Sequence, residues 1–224
     1  MKYIHNWYRL RFSILHHKYI LPLMFRLYCI PLYSNMCWLI VRHPQKMPGH
    51  TFVPMGVVNP DAIILNSPSK SFNIAGLTMA NIICQDAETR RRLDRAINIH
   101  EVCDVNPFAP EATKAAYNES EDWIDELNLY IWDNYRALKD FCSQHLPQWH
   151  VMPLEGTYLV WVDVSRCCDD VTTYCDDLLQ NAKVWLNPGT MYGKESGKGF
   201  IRINLACPQS LLMEALERIQ KLNK

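Results

Sequence analysis

From Ser120 to Pro147 the side chains Trp123, Leu127, Tyr130 or Ile131, Asn134, Leu138 and Phe141 recur at steps of three and four. At 3.6 residues per turn this spacing keeps them on one face, so it predicts a single helix of about seven turns. A helix that long can bridge two domains, and its stripe needs something to bury it. The chain can supply that: 49% of its 224 residues are hydrophobic and 21% charged, enough for one large domain or two small ones. General disorder is excluded.

The sequence on both sides of the helix alternates types. Upstream, a turn at Met47-Pro48-Gly49-His50 precedes a β-branched run, Ala62-Ile63-Ile64-Leu65, that reads as a buried strand, and a loop over Asn66 to Ser71 follows. Asp86 to Val102 predicts a helix with a capping Asp and an inward face of Leu93, Ile97 and Ile99; Pro107 and Pro110 then break the chain. Downstream, strands are predicted near Trp149 to Met152, Thr157 to Val164, Val184 to Leu186 and Phe200 to Leu205, with helices through Val171 to Asn181 and from Pro208. Asn187 to Gly199 is a loop with four of the eight glycines. It lacks the GxxxxGK[ST] spacing of a nucleotide loop. The pattern as a whole is α/β, with no internal repeat.

Charge divides the chain unevenly. Lys+Arg and Asp+Glu both total 23, which gives no reason to expect a nucleic acid partner, yet no acid occurs before Asp61. Residues 1–60 therefore carry +7 and the rest −7. Residues 1–46 show no steady period and are expected to be an unmatched basic and aromatic segment, apart from the fold that follows, of misplaced or frameshifted origin. Tyr19 to Val41 is long enough for a membrane span, but Arg26, Pro22 and Pro31 argue against one. Nine cysteines without a CxxC pair suit a reducing cytoplasm rather than a disulfide scaffold. Cys167 and Cys168 are expected to be surface thiols; His16-His17 lacks a third ligand, so no metal site is expected. Arg90-Arg91-Arg92 reads as a solvated helix face.

The sharpest chemical signal is Ser67-Pro68-Ser69-Lys70-Ser71-Phe72-Asn73-Ile74-Ala75-Gly76-Leu77. A lysine exposed in such a turn would be an ordinary solvated charge. Held in a partly dry pocket beside a carbonyl compound, its amine becomes a Schiff-base nucleophile. Flanking hydroxyls and turn N–H groups could then donate to a phosphate.

This stretch resembles the cofactor-lysine motif of class I and II aminotransferases, the fold type I enzymes that use pyridoxal 5'-phosphate, PLP. It is most similar to their carbon-sulfur lyase branch, which includes cystathionine beta-lyase. Further similar blocks follow in the family's order: Pro48-Gly49-His50, Leu154 to Asp163, Leu186-Asn187-Pro188-Gly189 and Gly199 to Pro208. The resemblance covers about Met47 to Lys224, the C-terminal half or so of the family fold.

The resemblance implies that Lys70 anchors PLP and moves the proton at the substrate's Cα, that Ser67 with help from Ser69 holds its phosphate, and that Arg202 grips the substrate α-carboxylate. Flanked by Phe200, Ile201 and Ile203, Arg202 is expected to need a partner. Many aminotransferases have an arginine eight residues after the lysine; Thr78 stands there, which favours the lyase branch. The family's acid for the pyridine nitrogen would fall near Cys37-Trp38-Leu39-Ile40-Val41, where there is none.

The expected fold is thus a partial PLP-dependent transferase of fold type I, with part of the large domain at 47–118, a linking helix at 119–147 and a small α/β domain at 148–224. The expected function is carbon-sulfur beta-elimination on cystathionine or a cysteine S-conjugate by a truncated and impaired copy. The alternatives are an aminotransferase and an inactive remnant or partner-binding fragment. The implied partners are a small sulfur-containing amino acid and, for a complete enzyme, a second copy in a homodimer; neither a nucleic acid nor a membrane is expected, and the location is cytoplasmic.

Overall fold

The structure is a computed structural model that describes residues 8–10, 38–40, 47–51, 53, 55–101 and 104–222. These divide into two compact units. The first holds the described residues up to Ile124 other than 47–50; the second holds 47–50 and those from Asp125 onward.

In the first unit the strands are β1 (Tyr8–Leu10), β2 (Trp38–Ile40), β3 (Ile63–Asn66) and β4 (Ala80–Ile83), in sheet order β1-β4-β3-β2. A one-turn helix, α1 (Met55–Val58), precedes β3. β2 lies parallel to β3, pairing Trp38 with Ile63 and Ile40 with Leu65; the other pairings are antiparallel. For β1 and β2 this corrects the expectation that residues 1–46 stand apart from the fold: a three-residue run suffices to satisfy the edge N–H and C=O groups of a neighbouring strand. The rest of that segment, including His16-His17 and most of the Tyr19 to Val41 stretch, lies outside the described residues. Among the described residues no helix is long and apolar enough to cross a membrane.

Helix α2 (Ala87–Asn98) lays Leu93 and Ile97 against Ile63, Leu65, Ile82 and Cys84. Asp86 caps it, accepting from the Thr89 N–H at 2.6 Å. The helix ends earlier than Val102 because the Asn98 amide turns back onto the Asp94 carbonyl (2.9 Å) and Glu101 takes a left-handed φ of 51°. Pro107 and Pro110 do not simply break the chain. Pro110 sits in the first turn of α3 (Ala109–Asn118), where a missing N–H costs nothing.

The predicted long helix is α4 (Glu121–His145), and the division between the units falls within it. The second unit continues with β5 (His150–Val151), β6 (Leu159–Asp163), α5 (Val171–Asp177), β7 (Asn187–Pro188), β8 (Phe200–Asn204) and α6 (Gln209–Leu222). The sheet is antiparallel throughout, in the order β5-β6-β8-β7. Its inner face is built by alternation: Val160 and Val162 of β6 and Ile201 and Ile203 of β8 are buried with Ile131, Leu138, Leu178, Leu212, Leu216 and Ile219. The strand expected at Val184 to Leu186 is instead Asn187–Pro188. Helical winding continues past α5 to Ala182, and the Val184 N–H still bonds back to Leu178 O (3.2 Å), so these residues are not free to pair.

Asn134, the polar member of the α4 stripe, is fully buried. Its amide donates to the carbonyls of Leu205 and Cys207, both at 2.9 Å, and so ties α4 to the exit of β8. Cys167 and Cys168 are half-buried and packed against the core, which corrects their reading as surface thiols; desolvation raises both pKa values. Burial pushes Cys142 and Cys175 up to about 12.

Candidate active site

β3 leads directly into the lysine loop. Its last residue, Asn66, is buried, and the hydroxyl of the next, Ser67, lies 2.6 Å from the Met79 carbonyl, tying the loop's start to the residue before β4. Ser67 Oγ also shares a 2.8 Å hydrogen bond with Ser69 Oγ and accepts from the Ser69 N–H at 3.2 Å. The chain then winds tightly: Phe72 N–H donates to Pro68 O at 3.0 Å and Ile74 N–H to Ser69 O at 3.1 Å. Asn73 and Thr78 take left-handed φ values of 53° and 48°, which closes the loop toward β4. Ser71 is buried, and the Phe72 ring stacks on Trp123 (5.9 Å between centroids) and meets Tyr117 edge-on (5.5 Å). With its neighbours turned inward, Lys70 is exposed. The partly dry setting considered for its amine is not what surrounds it here: the i to i+4 winding sends Ser71 and Phe72 into the unit and Lys70 out.

Arg202 lies in the second unit, at the middle of β8. Alternation sends Ile201 and Ile203 to the core and Arg202 to the opposite face, so the isoleucines are not the apolar surroundings that sequence proximity suggested. Its partner is an aromatic ring: Arg202 Cζ sits 4.2 Å from the centroid of Tyr192. Among the described residues, no ion pair involves Arg202. Its cross-strand neighbours are Trp161 on β6 and Asn187 on β7. At the end of β6, hydrogen bonds from the Ser165 side chain and N–H hold the Asp163 carboxyl below the usual range.

The glycine-rich loop brings Tyr192 into place. Tyr192 N–H donates to Gly189 O at 2.9 Å and Gly197 N–H to Gly193 O at 2.9 Å. Gly189 and Gly197 pass so close that a Cβ on either would fall on the other's backbone. The sequence marked the loop but not Tyr192 itself. The available signal was an aromatic residue between glycines, ten positions before the arginine.

Ser67, Ser69 and Lys70 therefore share one turn, and Arg202 belongs to the other unit. The donor set of that turn, one amine beside two hydroxyls, suits a ligand carrying a carbonyl and a phosphate. Among the described residues, no group of three His, Cys, Asp or Glu side chains could hold a metal.

The class I and II aminotransferase family matches residues 43–219, and the chain belongs to that family. Its members are PLP-dependent enzymes of fold type I. Cystathionine beta-lyase PatB of Bacillus subtilis is 34% identical over 176 residues, which cover 77% of this chain and 45% of PatB. Protein MalY of Escherichia coli is 33% identical over 157 residues, covering 70% and 40%. The crystal structure of cystalysin from Treponema denticola, which contains a PLP cofactor, superposes with a TM-score of 0.79 at 31% identity, covering 83% of this chain and 48% of that one. The chain thus spans less than half the length of the relatives it matches.

Proposed function

We propose that this chain carries the lysine and carboxylate-binding half of a PLP-dependent carbon-sulfur lyase, acting on a small sulfur-containing amino acid such as cystathionine or a cysteine S-conjugate. The observation that carries the reading is the grouping of Ser67, Ser69 and Lys70 in one turn at the end of β3, with the two hydroxyls paired to each other. The similarity to cystathionine beta-lyase PatB supports the lyase branch.

When bound, PLP supplies an electron sink for negative charge at the substrate's Cα. Lys70 would hold it through the side-chain amine and would take up the proton from the substrate's Cα. Ser67 and Ser69, with the N–H groups of their turn, hold the phosphate. Arg202 offers its planar fork to the α-carboxylate, a task for which a lysine is a poor substitute. Loss of the thiolate from Cβ yields pyruvate and ammonia after hydrolysis.

The strand beside β3 carries no acid. β2 runs parallel to it as Trp38-Leu39-Ile40, and no carboxylate precedes Asp61. Without an acid to pair with the pyridine nitrogen, turnover by this sequence is expected to fall about a hundredfold to a thousandfold below that of an enzyme that has one. Supplied with PLP and L-cystathionine, the chain is expected to release pyruvate slowly, and Lys70→Ala to release none. Amino transfer to a 2-oxo acid without pyruvate release would favour an aminotransferase instead. Absence of both activities while Lys70 is loaded would favour a non-enzymatic fragment.

A further inference from the structure

Arg202 is surrounded by side chains that support one another. Its two cross-strand neighbours, Trp161 and Asn187, both also contact the ring on which its guanidinium rests. Trp161 meets Tyr192 edge-on, with centroids 5.5 Å apart and planes at 83°, and the Asn187 amide donates to the Tyr192 hydroxyl at 3.3 Å. Arg202 on β8 is thus flanked by residues of β6 and β7, and both of these touch the Tyr192 side chain, whose ring lies against the guanidinium.

A ring face attracts a guanidinium through its quadrupole without taking up the N–H groups or neutralising the charge. A carboxylate partner would do both. The arrangement therefore keeps Arg202 oriented while leaving its in-plane donors available. We infer that Tyr192 is a positioning residue: it holds the Arg202 guanidinium, with Trp161 and Asn187 bracing the ring, in the orientation that accepts the α-carboxylate of an amino acid. The role assigned to the carboxylate rests on the proposed function; the holding of Arg202 by Tyr192 does not.

Two readouts separate these parts. In the cofactor-free chain labelled with 15N-arginine, the side-chain Nε–H resonance absent from Arg202→Lys belongs to Arg202. It is expected to be displaced by the ring current and rigid on the picosecond to nanosecond scale in the wild type and in Tyr192→Phe. In Tyr192→Leu it should move to the ordinary arginine position and become mobile. Trp161→Leu, which removes the edge contact and leaves the loop sequence intact, should give an intermediate result and serves if Tyr192→Leu fails to fold. Equal rigidity and shift in the wild type and the leucine variants would overturn the inference whether or not PLP binds.

In the PLP-loaded chain, titration with L-alanine, which has the carboxylate but no leaving group at Cβ, gives a dissociation constant from the cofactor absorbance. Tyr192→Leu should weaken it by about fivefold to thirtyfold, and Tyr192→Phe, with the ring retained, by less than about threefold. A Tyr192→Leu affinity equal to that of the wild type would overturn the positioning role. An Arg202→Lys affinity equal to that of the wild type would instead sink the assignment of Arg202 to the carboxylate, and a wild type that binds no PLP at Lys70 would sink the functional reading.

Discussion

Lys70 and Arg202 are displayed by different means. The hydrogen bonds that shape the lysine loop close within twelve residues of sequence, from Ser67 to Met79, and the amine simply faces out of the turn they make. Arg202 is held by register: a partner on either side in the sheet and a ring delivered by a loop that begins thirteen residues before it. The first arrangement is local and should tolerate change in its side chain. The second is tertiary and should feel changes on the hidden face of the same strand.

The largest expected effect is chemical. Lys70→Ala should abolish covalent retention of PLP while leaving the melting temperature unchanged, because the side chain is exposed and its turn is closed by other residues. A substantial drop in melting temperature would show that the loop depends on the lysine it displays.

The interior of the second unit can be probed by thiol chemistry. Cys142 and Cys175 are raised from 9.0 to about 12, so at pH 8 their thiolate fraction should be lower by about a thousandfold, and alkylation in the native state correspondingly slow. The same shift makes stability pH-dependent. A thiol that keeps its proton to about 12 when folded and loses it near 9.0 when unfolded favours folding fully below 9.0 and progressively less as the pH rises from there toward 12. Alkylation of either residue at the rate of a free thiol would contradict the tight core on which the register of β8 depends.

Ile201→Ala removes buried volume from the face of β8 opposite Arg202 and should cost about 2–4 kcal/mol, read from a shift in the urea midpoint. A neutral result would mean that β8 is not pinned from below. The smallest effect is expected at Asp170, whose carboxylate caps α5 by accepting from Thr172 and Thr173 N–H and from the Thr173 hydroxyl; these bonds lower its pKa below 3.8. Being depressed, it contributes stability above pH 3.8 that disappears as the pH falls through its folded-state value. Asp170→Ala should therefore lower the melting temperature slightly at pH 7, and by progressively less as the pH falls through the folded-state value of the carboxylate.

The same contrast governs what the sequence disclosed. The lysine loop, the long helix and the period-two strands β6 and β8 were legible because each depends on residues close in sequence. Arg202 could be singled out, but its surroundings could not. Adjacency put it among Ile201 and Ile203, whereas pairing across strands put it among Trp161, Asn187 and Tyr192. Pro110 misled for a related reason: whether proline breaks a helix or starts one depends on where the first turn falls, and Phe108 and Ala109 give no capping signal in advance. β1 and β2 were missed because a three-residue strand has no period to detect.

In the proposed function one amine, that of Lys70, forms the reversible covalent link to PLP. Incubation of the chain with PLP, reduction with borohydride and peptide mapping by mass spectrometry tests it directly. The expected result is a reduced adduct concentrated at Lys70 and saturating at one per chain. Adducts spread evenly over the surface lysines, with Lys70 no more modified than Lys114 or Lys198, would contradict it.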